Sequence, residues 1–120
     1  DIKSFTRLIQ FMAGAGAQGV TILGVLGEAN RLLDEERAQL IRTAVKAAEG
    51  KIPVIVGASH SGTQAACALS RMAEDLGASA VMVKSTLSPN SRGRLPAMGR
   101  SSTNTLSNNM LTMLRNDRAR

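Results

Sequence analysis

The sequence predicts an α/β fold built on three parallel strands. Three short apolar, β-branched runs begin near residues 20, 52 and 80, and segments with helical periodicity precede and separate them. The runs are 32 and 28 residues apart, and each spacing is the length of one strand-helix unit. Connections of this length are crossover helices that join parallel strands.

The first helix is predicted over about residues 4–16 and ends in the glycine-rich segment 14–19. Its apolar residues recur at the i, i+3, i+4, i+7 spacing of one helix face. They are Phe5, Leu8, Ile9 and Met12. Residues 20–23 follow as the first strand, with apolar residues on both faces as a buried parallel strand requires.

Two more helix-strand pairs follow. Asp34 is the predicted N-cap of the second helix, whose first turn is acidic as the helix dipole favours, and Gly50 ends it. The next strand is predicted at residues 52–56. The remaining elements are a third helix from Ser61 or Thr63 to about Leu76 and a strand at residues 80–83.

Composition favours a globular, cytoplasmic protein. Of 120 residues 43% are hydrophobic and 20% are charged, and two Phe with no Trp or Tyr leave the core to aliphatic side chains. The single Cys67 excludes an internal disulfide and fits a reducing compartment. No apolar run approaches the roughly 20 residues of a membrane span, and the segment after Asp1 has no signal-peptide pattern.

The net charge of +6 belongs to the end of the chain. Residues 1–84 carry nine Lys or Arg against eight Asp or Glu, whereas residues 85–120 carry six Arg against one Asp. We therefore predict a domain boundary near residue 84 and a basic Ser/Asn/Arg-rich tail that is irregular or partly helical. A basic arm for nucleic-acid phosphates is an alternative, but the tail has no aromatic residue for base stacking, which disfavours it.

Two parallel architectures fit these elements. One is part of a (β/α)8 barrel, which needs roughly 250 residues when complete, and the other is a small doubly wound sheet of the Rossmann or flavodoxin kind. Residues 14–19 match the dinucleotide fingerprint G-x-G-x-x-G. That fingerprint must leave a strand and open a helix, because the helix N-terminus holds the pyrophosphate. Here a helix precedes it and a strand follows, so we predict no cofactor.

The segment Gly24-Val25-Leu26-Gly27-Glu28 follows the first predicted strand. Barrel enzymes place their chemistry at this carboxyl end of the strands. Glycines in the loop let backbone N–H groups turn toward a small anion, so a carboxylate can be held without a cationic side chain. The alternative interpretation is a tight turn that binds nothing.

This loop belongs to a longer pattern, which continues with Leu33-Asp34-Glu35-Glu36-Arg37, Ile52-Pro53-Val54-Ile55-Val56-Gly57, Thr63 and Gly77-Ala78-Ser79-Ala80-Val81-Met82-Val83. In order and spacing the pattern resembles the dihydrodipicolinate synthase and N-acetylneuraminate lyase family over about residues 1–84. The resemblance implies a partial TIM (β/α)8 barrel that contains the second, third and fourth strands.

The resemblance implies class I aldolase chemistry on pyruvate or a related 2-oxo acid. In this family a Lys forms a Schiff base with the keto group and a Tyr relays protons. The chain has no Tyr, and Lys84 lies two strands too early to be that Lys, so no catalytic residue is assigned. The family's carboxylate-binding loop matches Gly24, Val25, Leu26, Gly27 and Glu28, although Val25 and Leu26 lack the hydroxyl groups common there. Glu28 is expected to hold the loop backbone.

Ser59 and His60 follow the second predicted strand and are expected on the face that meets the substrate. Cys67 is predicted as a small core residue, and no metal site is predicted because no ligand set has a useful spacing. The expected partners are a small 2-oxo acid and, because complete relatives imply a homotetramer, further copies of the chain. No membrane is expected, and nucleic acid is disfavoured.

The resemblance stops after Val83, where a family member would continue with a Pro- and Tyr-containing loop and a fifth strand-helix unit. We hypothesise that residues 85–120 come from a shifted reading frame, whose unselected codons account for the Arg, Ser and Asn bias. Translating the encoding DNA past codon 84 in the other two frames should then recover the fifth unit. If neither frame contains it, the hypothesis fails.

Overall fold

The computed structural model describes residues 1–84, 103–106 and 109–113. Its helices are α1 (Ile2–Gly14), α2 (Asp34–Ala48) and α3 (Thr63–Asp75), with two single 3-10 turns at Val25–Gly27 and Ala29–Arg31. Its strands are β1 (Val20–Ile22), β2 (Val54–Gly57), β3 (Ala80–Lys84), β4 (Thr103–Leu106) and β5 (Asn109–Met113).

The strands form one sheet in the order β1-β2-β3-β5-β4. β1 pairs with β2 and β2 with β3 in parallel, with Val20 opposite Val54 and Ile55 opposite Ala80. This consecutive order excludes a flavodoxin-like sheet, whose order reverses at a switch point, but it is shared by a barrel and by one half of a Rossmann sheet. The three parallel strands with crossover helices predicted for a partial (β/α)8 barrel are confirmed.

The core lies between the sheet and the helices and consists of small aliphatic side chains. α2 packs on α1, on α3 and on β2, and α3 packs on β3. The largest fully buried side chains are Ile41, Val56 and Val81. Six of the fourteen residues in the core cluster are Ala, which bury little apolar area each. A core of this kind gives a small domain only modest stability.

The ends of the helices differ from the predicted caps. α2 is capped at Leu33 instead of Asp34, because the Glu36 carboxylate reaches back one turn and accepts the Leu33 N–H at 2.9 Å. α3 begins after Gly62, which makes no side-chain cap, and neither Ser61 nor Thr63 serves as the cap. The start of α2 follows from the Glu36 hydrogen bond, whereas no side-chain hydrogen bond fixes the start of α3.

The predicted apolar stripe of α1 is only partly covered. Ile9 is buried, but Leu8 is 54% exposed and Met12 is 38% exposed. β1 also differs from prediction, because Thr21 between its two buried residues is exposed. β1 lies at an edge of the sheet, where no further strand pairs within the described residues, and α1 packs on α2.

Two segments of the tail are strands where the sequence predicts irregular or partly helical backbone. β5 pairs antiparallel with β3, from Ala80 opposite Met113 to Lys84 opposite Asn109, and β4 pairs antiparallel with β5. The physical reason is that β5 pairs with a strand distant from it in the sequence. The edge of β3 offers a row of N–H and C=O groups that an extended segment can pair with, whatever its helical propensity. The rest of the tail lies outside the described residues.

We predict that Ile41→Ala destabilises the protein by about 2–5 kcal/mol, because Ile41 is 1% exposed and its loss leaves a cavity against the sheet. The matched control is Leu8→Ala on α1, whose side chain is 54% exposed and whose loss should change the free energy of unfolding by less than about 0.5 kcal/mol. Urea unfolding of both variants checks this. Equal losses of unfolding free energy in the two variants would contradict the placement of the core under α2.

Candidate functional site

The carboxyl ends of β1, β2 and β3 lie at one rim of the sheet, because the three strands are parallel. The loop at residues 24–28 leaves β1 at this rim, Ser59 follows β2, and Lys84 ends β3. The Ser59 hydroxyl accepts a hydrogen bond from the Lys84 backbone N–H at 2.8 Å, which ties the ends of β2 and β3 together. The predicted carboxylate loop and Ser59 therefore share one rim.

The loop is built from the two 3-10 turns. The carbonyl of Gly24 accepts the N–H of Gly27 at 3.0 Å, and the carbonyl of Val25 accepts the N–H of Glu28 at 3.2 Å. Glu28 then adopts a left-handed backbone conformation, with φ 50° and ψ 35°, between the first turn and the second. A left-handed non-glycine residue is uncommon, and here it sets the direction in which the second turn leaves the first.

The first turn presents the backbone amides of Val25 and Leu26. Neither N–H donates to a protein acceptor within the described residues, as expected at the start of a helical turn. The two residues are 75% and 99% exposed, so neither side chain packs into the core. Adjacent unpaired N–H groups can bind a small anion, which is the chemistry predicted for residues 24–28.

Gly57 allows β1 and β2 to approach each other where the loop begins. A Cβ atom at Gly57 would meet the carbonyl group of Leu23 and would lie 3.1 Å from the backbone nitrogen of Gly24. Leu23 itself has a left-handed backbone, with φ 55°, which turns the chain out of β1. Both constraints act just before the two free amides and so fix their place on the rim.

Arg37 holds the loop, and Glu28 does not. The Glu28 carboxylate lies 3.6 Å from the Arg31 guanidinium, with both side chains largely exposed, and it caps no backbone amide. Arg37 on α2 instead donates from Nε and Nη2 to the carbonyl of Ala29, at 3.0 and 2.7 Å. The anchoring expected of Glu28 thus falls to Arg37. The sequence alone contains no clear signal for this role, because Arg37 follows three acidic residues with which a cation near a helix N-terminus would be expected to pair.

A small pocket of about 90 Å³ lies between the second turn and the residues after β2. Pockets for drug-sized ligands measure roughly 300–1,000 Å³, so this one admits only a small group. Ser59 and His60 line it. Nδ1 of His60 accepts the Gly62 N–H at 2.9 Å, which leaves Nε2 as the protonated nitrogen. The remaining lining residues are Leu23, Ala29, Asn30, Arg37, Gly57 and Leu69. The pocket therefore joins Ser59 and His60 to the second turn, and Val25 and Leu26 do not line it.

Lys84 and Cys67 do not line this pocket. Lys84 is exposed at the end of β3, and Cys67 is a half-buried free thiol on α3. Across residues 1–84 and the two tail strands, no three His, Cys, Asp or Glu side chains come together as metal ligands do. In the same part of the chain no helix is long and apolar enough to span a bilayer. The six arginines of the tail lie outside the described residues.

Comparison with known proteins gives one consistent result. The sequence profile of the dihydrodipicolinate synthetase family matches residues 1–86. A 4-hydroxy-tetrahydrodipicolinate synthase of Alkaliphilus oremlandii is 45% identical over 83 residues, which are 69% of this chain and 29% of that protein. An L-2-keto-3-deoxyarabonate dehydratase of Azospirillum brasilense is 42% identical over 82 residues, 68% of this chain and 26% of its own length. The chain thus spans less than a third of these relatives.

Comparison with solved structures finds the same family. The crystal structure of dihydrodipicolinate synthase from Aquifex aeolicus superposes with a TM-score of 0.67 at 34% identity, covering 69% of this chain and 28% of that one. The chloride-inhibited dihydrodipicolinate synthase from Acinetobacter baumannii, solved in complex with pyruvate, gives the same TM-score of 0.67 at 34% identity and the same coverage of 69% and 28%.

We predict that Gly57→Ala destabilises the protein by about 1–3 kcal/mol, because its methyl group forces the Leu23 carbonyl away from β2. Gly14→Ala is the control, since a Cβ at Gly14 at the end of α1 meets nothing within 4 Å and should be neutral or slightly stabilising. Urea unfolding gives the free energies, and amide spectra of residues 23–28 should move only in Gly57→Ala. Two variants of equal stability would refute the close approach.

Proposed function

Because this chain belongs to the dihydrodipicolinate synthetase family, we propose that it is the part of a Schiff-base-forming lyase or aldolase that grips the carboxylate of pyruvate or a related 2-oxo acid. The complete enzyme would form a carbon–carbon or carbon–nitrogen bond, or break one, through a Schiff base between a lysine and the keto group. A cytoplasmic location and assembly into homo-oligomers belong to the same proposal.

The observation that carries the proposal is the pair of amides at Val25 and Leu26, neither of which has an acceptor among the described residues. They lie at the carboxyl end of a parallel strand, on the rim that also holds Ser59. A carboxylate accepts two backbone N–H groups with charge-assisted hydrogen bonds, which are stronger than neutral ones. Glu28 is the only acidic side chain of the loop and pairs with Arg31, which reduces its repulsion of a bound anion.

The residues of the first turn also restrict what the loop does. Val25 and Leu26 supply amides but no hydroxyl group, so in the first turn the backbone binds the substrate and neither side chain relays a proton. The loop therefore contributes binding and orientation, and the proton transfers of the reaction must be supplied by other residues.

We propose that the chain alone is inactive. It contains no Tyr, and Lys84 ends the third parallel strand, two strands before the position where the family places its Schiff-base Lys. The Lys84 backbone N–H donates to the Ser59 hydroxyl while the residue itself is exposed, so its amine is not enclosed in a pocket as a nucleophilic lysine is.

We predict that pyruvate titrated into the isotope-labelled chain shifts the amide resonances of Val25 and Leu26 with a dissociation constant on the order of 1–10 mM, since only two charge-assisted hydrogen bonds are formed. Pyruvamide, which has the keto group but no carboxylate, should leave them unchanged. Borohydride added with pyruvate should trap no adduct on this chain.

A variant pair tests the amide directly. Val25→Pro removes one donor at the first position of a helical turn, where proline is tolerated, and Gly24 already has the extended backbone (φ −71°, ψ 172°) that precedes proline well. Affinity should fall about tenfold in Val25→Pro and persist in Val25→Ala. Equal affinities, or equal shifts with pyruvamide, would overturn the proposal.

A further inference from the structure

The geometry points to Arg37 as a positioning residue: we propose that its guanidinium holds the carboxylate loop in the binding conformation by gripping the carbonyl of Ala29. The inference rests on the proposed function, since it names the side chain that sets the geometry of the same loop. It concerns a residue on α2, in the helix that follows the loop.

The contact is short, two-pronged and largely removed from solvent. Nε and Nη2 of Arg37 lie 3.0 and 2.7 Å from the carbonyl oxygen of Ala29, and the Arg37 side chain is only 12% exposed. Its other partner is weak, because Nη1 is 3.5 Å from a carboxylate oxygen of Asp34 whose side chain is 79% exposed. The guanidinium is therefore directed at the loop backbone.

The loop has little else to hold it. Neither 3-10 turn contains a buried residue, so little apolar packing fixes residues 25–31. Among the described residues, Arg37 is the one side chain outside the loop that donates a hydrogen bond to it. The turns themselves contribute a few backbone bonds, such as that from the Leu32 N–H to the same Ala29 carbonyl at 3.3 Å.

The Ala29 carbonyl oxygen, which Arg37 binds, lies close in sequence to the amides of Val25 and Leu26 and can restrict their position. Ala29 follows Glu28, the left-handed residue that joins the second turn to the first. With Leu23 fixed against Gly57 at one end and Ala29 fixed by Arg37 at the other, the first turn is held between two anchors. A planar guanidinium can place two N–H groups on one oxygen in a fixed fork, whereas a lysine ammonium donates as a flexible point charge.

Hydrogen exchange of the full chain tests this without any ligand. In Arg37→Gln, the hydrogen-bonded amides of the two turns, at Gly27, Glu28, Arg31 and Leu32, should exchange about tenfold faster because a charge-assisted bond to the loop is lost, while α3 and β3 keep wild-type rates. Arg37→Lys should give an intermediate increase, and it decides the matter if Arg37→Gln does not fold. Arg31→Gln is the control, because it removes a loop guanidinium whose partner is Glu28 at 3.6 Å, and it should leave exchange unchanged.

Pyruvate titration of the same variants adds the second readout. Faster loop exchange together with affinity reduced about tenfold in Arg37→Gln, but not in Arg31→Gln, is the expected result. Unchanged loop exchange in Arg37→Gln and Arg37→Lys, or acceleration spread over the whole chain, overturns the role of Arg37. If the wild-type chain binds no pyruvate, the proposed function fails, and the exchange rates still decide whether Arg37 positions the loop.

Discussion

The parallel pairing of β1 with β2, closed tightly at Gly57, is the constraint on which the site depends. Parallel strands bring their carboxyl ends to one rim, so the loop after β1 and Ser59 after β2 become neighbours without being close in sequence. The absence of a side chain at Gly57 lets the Leu23 carbonyl approach. That approach and the left-handed backbone at Leu23 together set where the chain leaves β1 and enters the loop.

The chain combines a well-packed sheet and helices with a loop that is held by few contacts. The strands and α2 share a core of Ile, Val and Ala, whereas the loop of two 3-10 turns has no buried residue. Binding loops commonly belong to the less stable part of a protein and are positioned by a rigid scaffold. Here the scaffold acts through backbone contact at Gly57 and through one guanidinium at Ala29, so polar atoms of the main chain, more than side chains, define the site.

Local patterns predicted most of the fold and only part of the site. Periodicity and spacing were sufficient for the three helices and three parallel strands, because each follows from neighbouring residues. The family resemblance, carried by segments from Gly24 to Val83, is confirmed. The contact of Arg37 with Ala29 was missed, since it joins a side chain to a backbone carbonyl eight residues earlier, beside a left-handed backbone at Glu28 that no propensity favours. β5 was missed because it depends on the distant edge of β3.

The central claim is that two backbone amides at the rim bind the carboxylate of a 2-oxo acid. A crystal structure of the chain with bound pyruvate tests it most directly. We expect both carboxylate oxygens to accept hydrogen bonds from the N–H groups of Val25 and Leu26, with N···O distances of about 2.7–3.2 Å. Pyruvate bound elsewhere on the chain, with both amides still facing solvent, would contradict the claim.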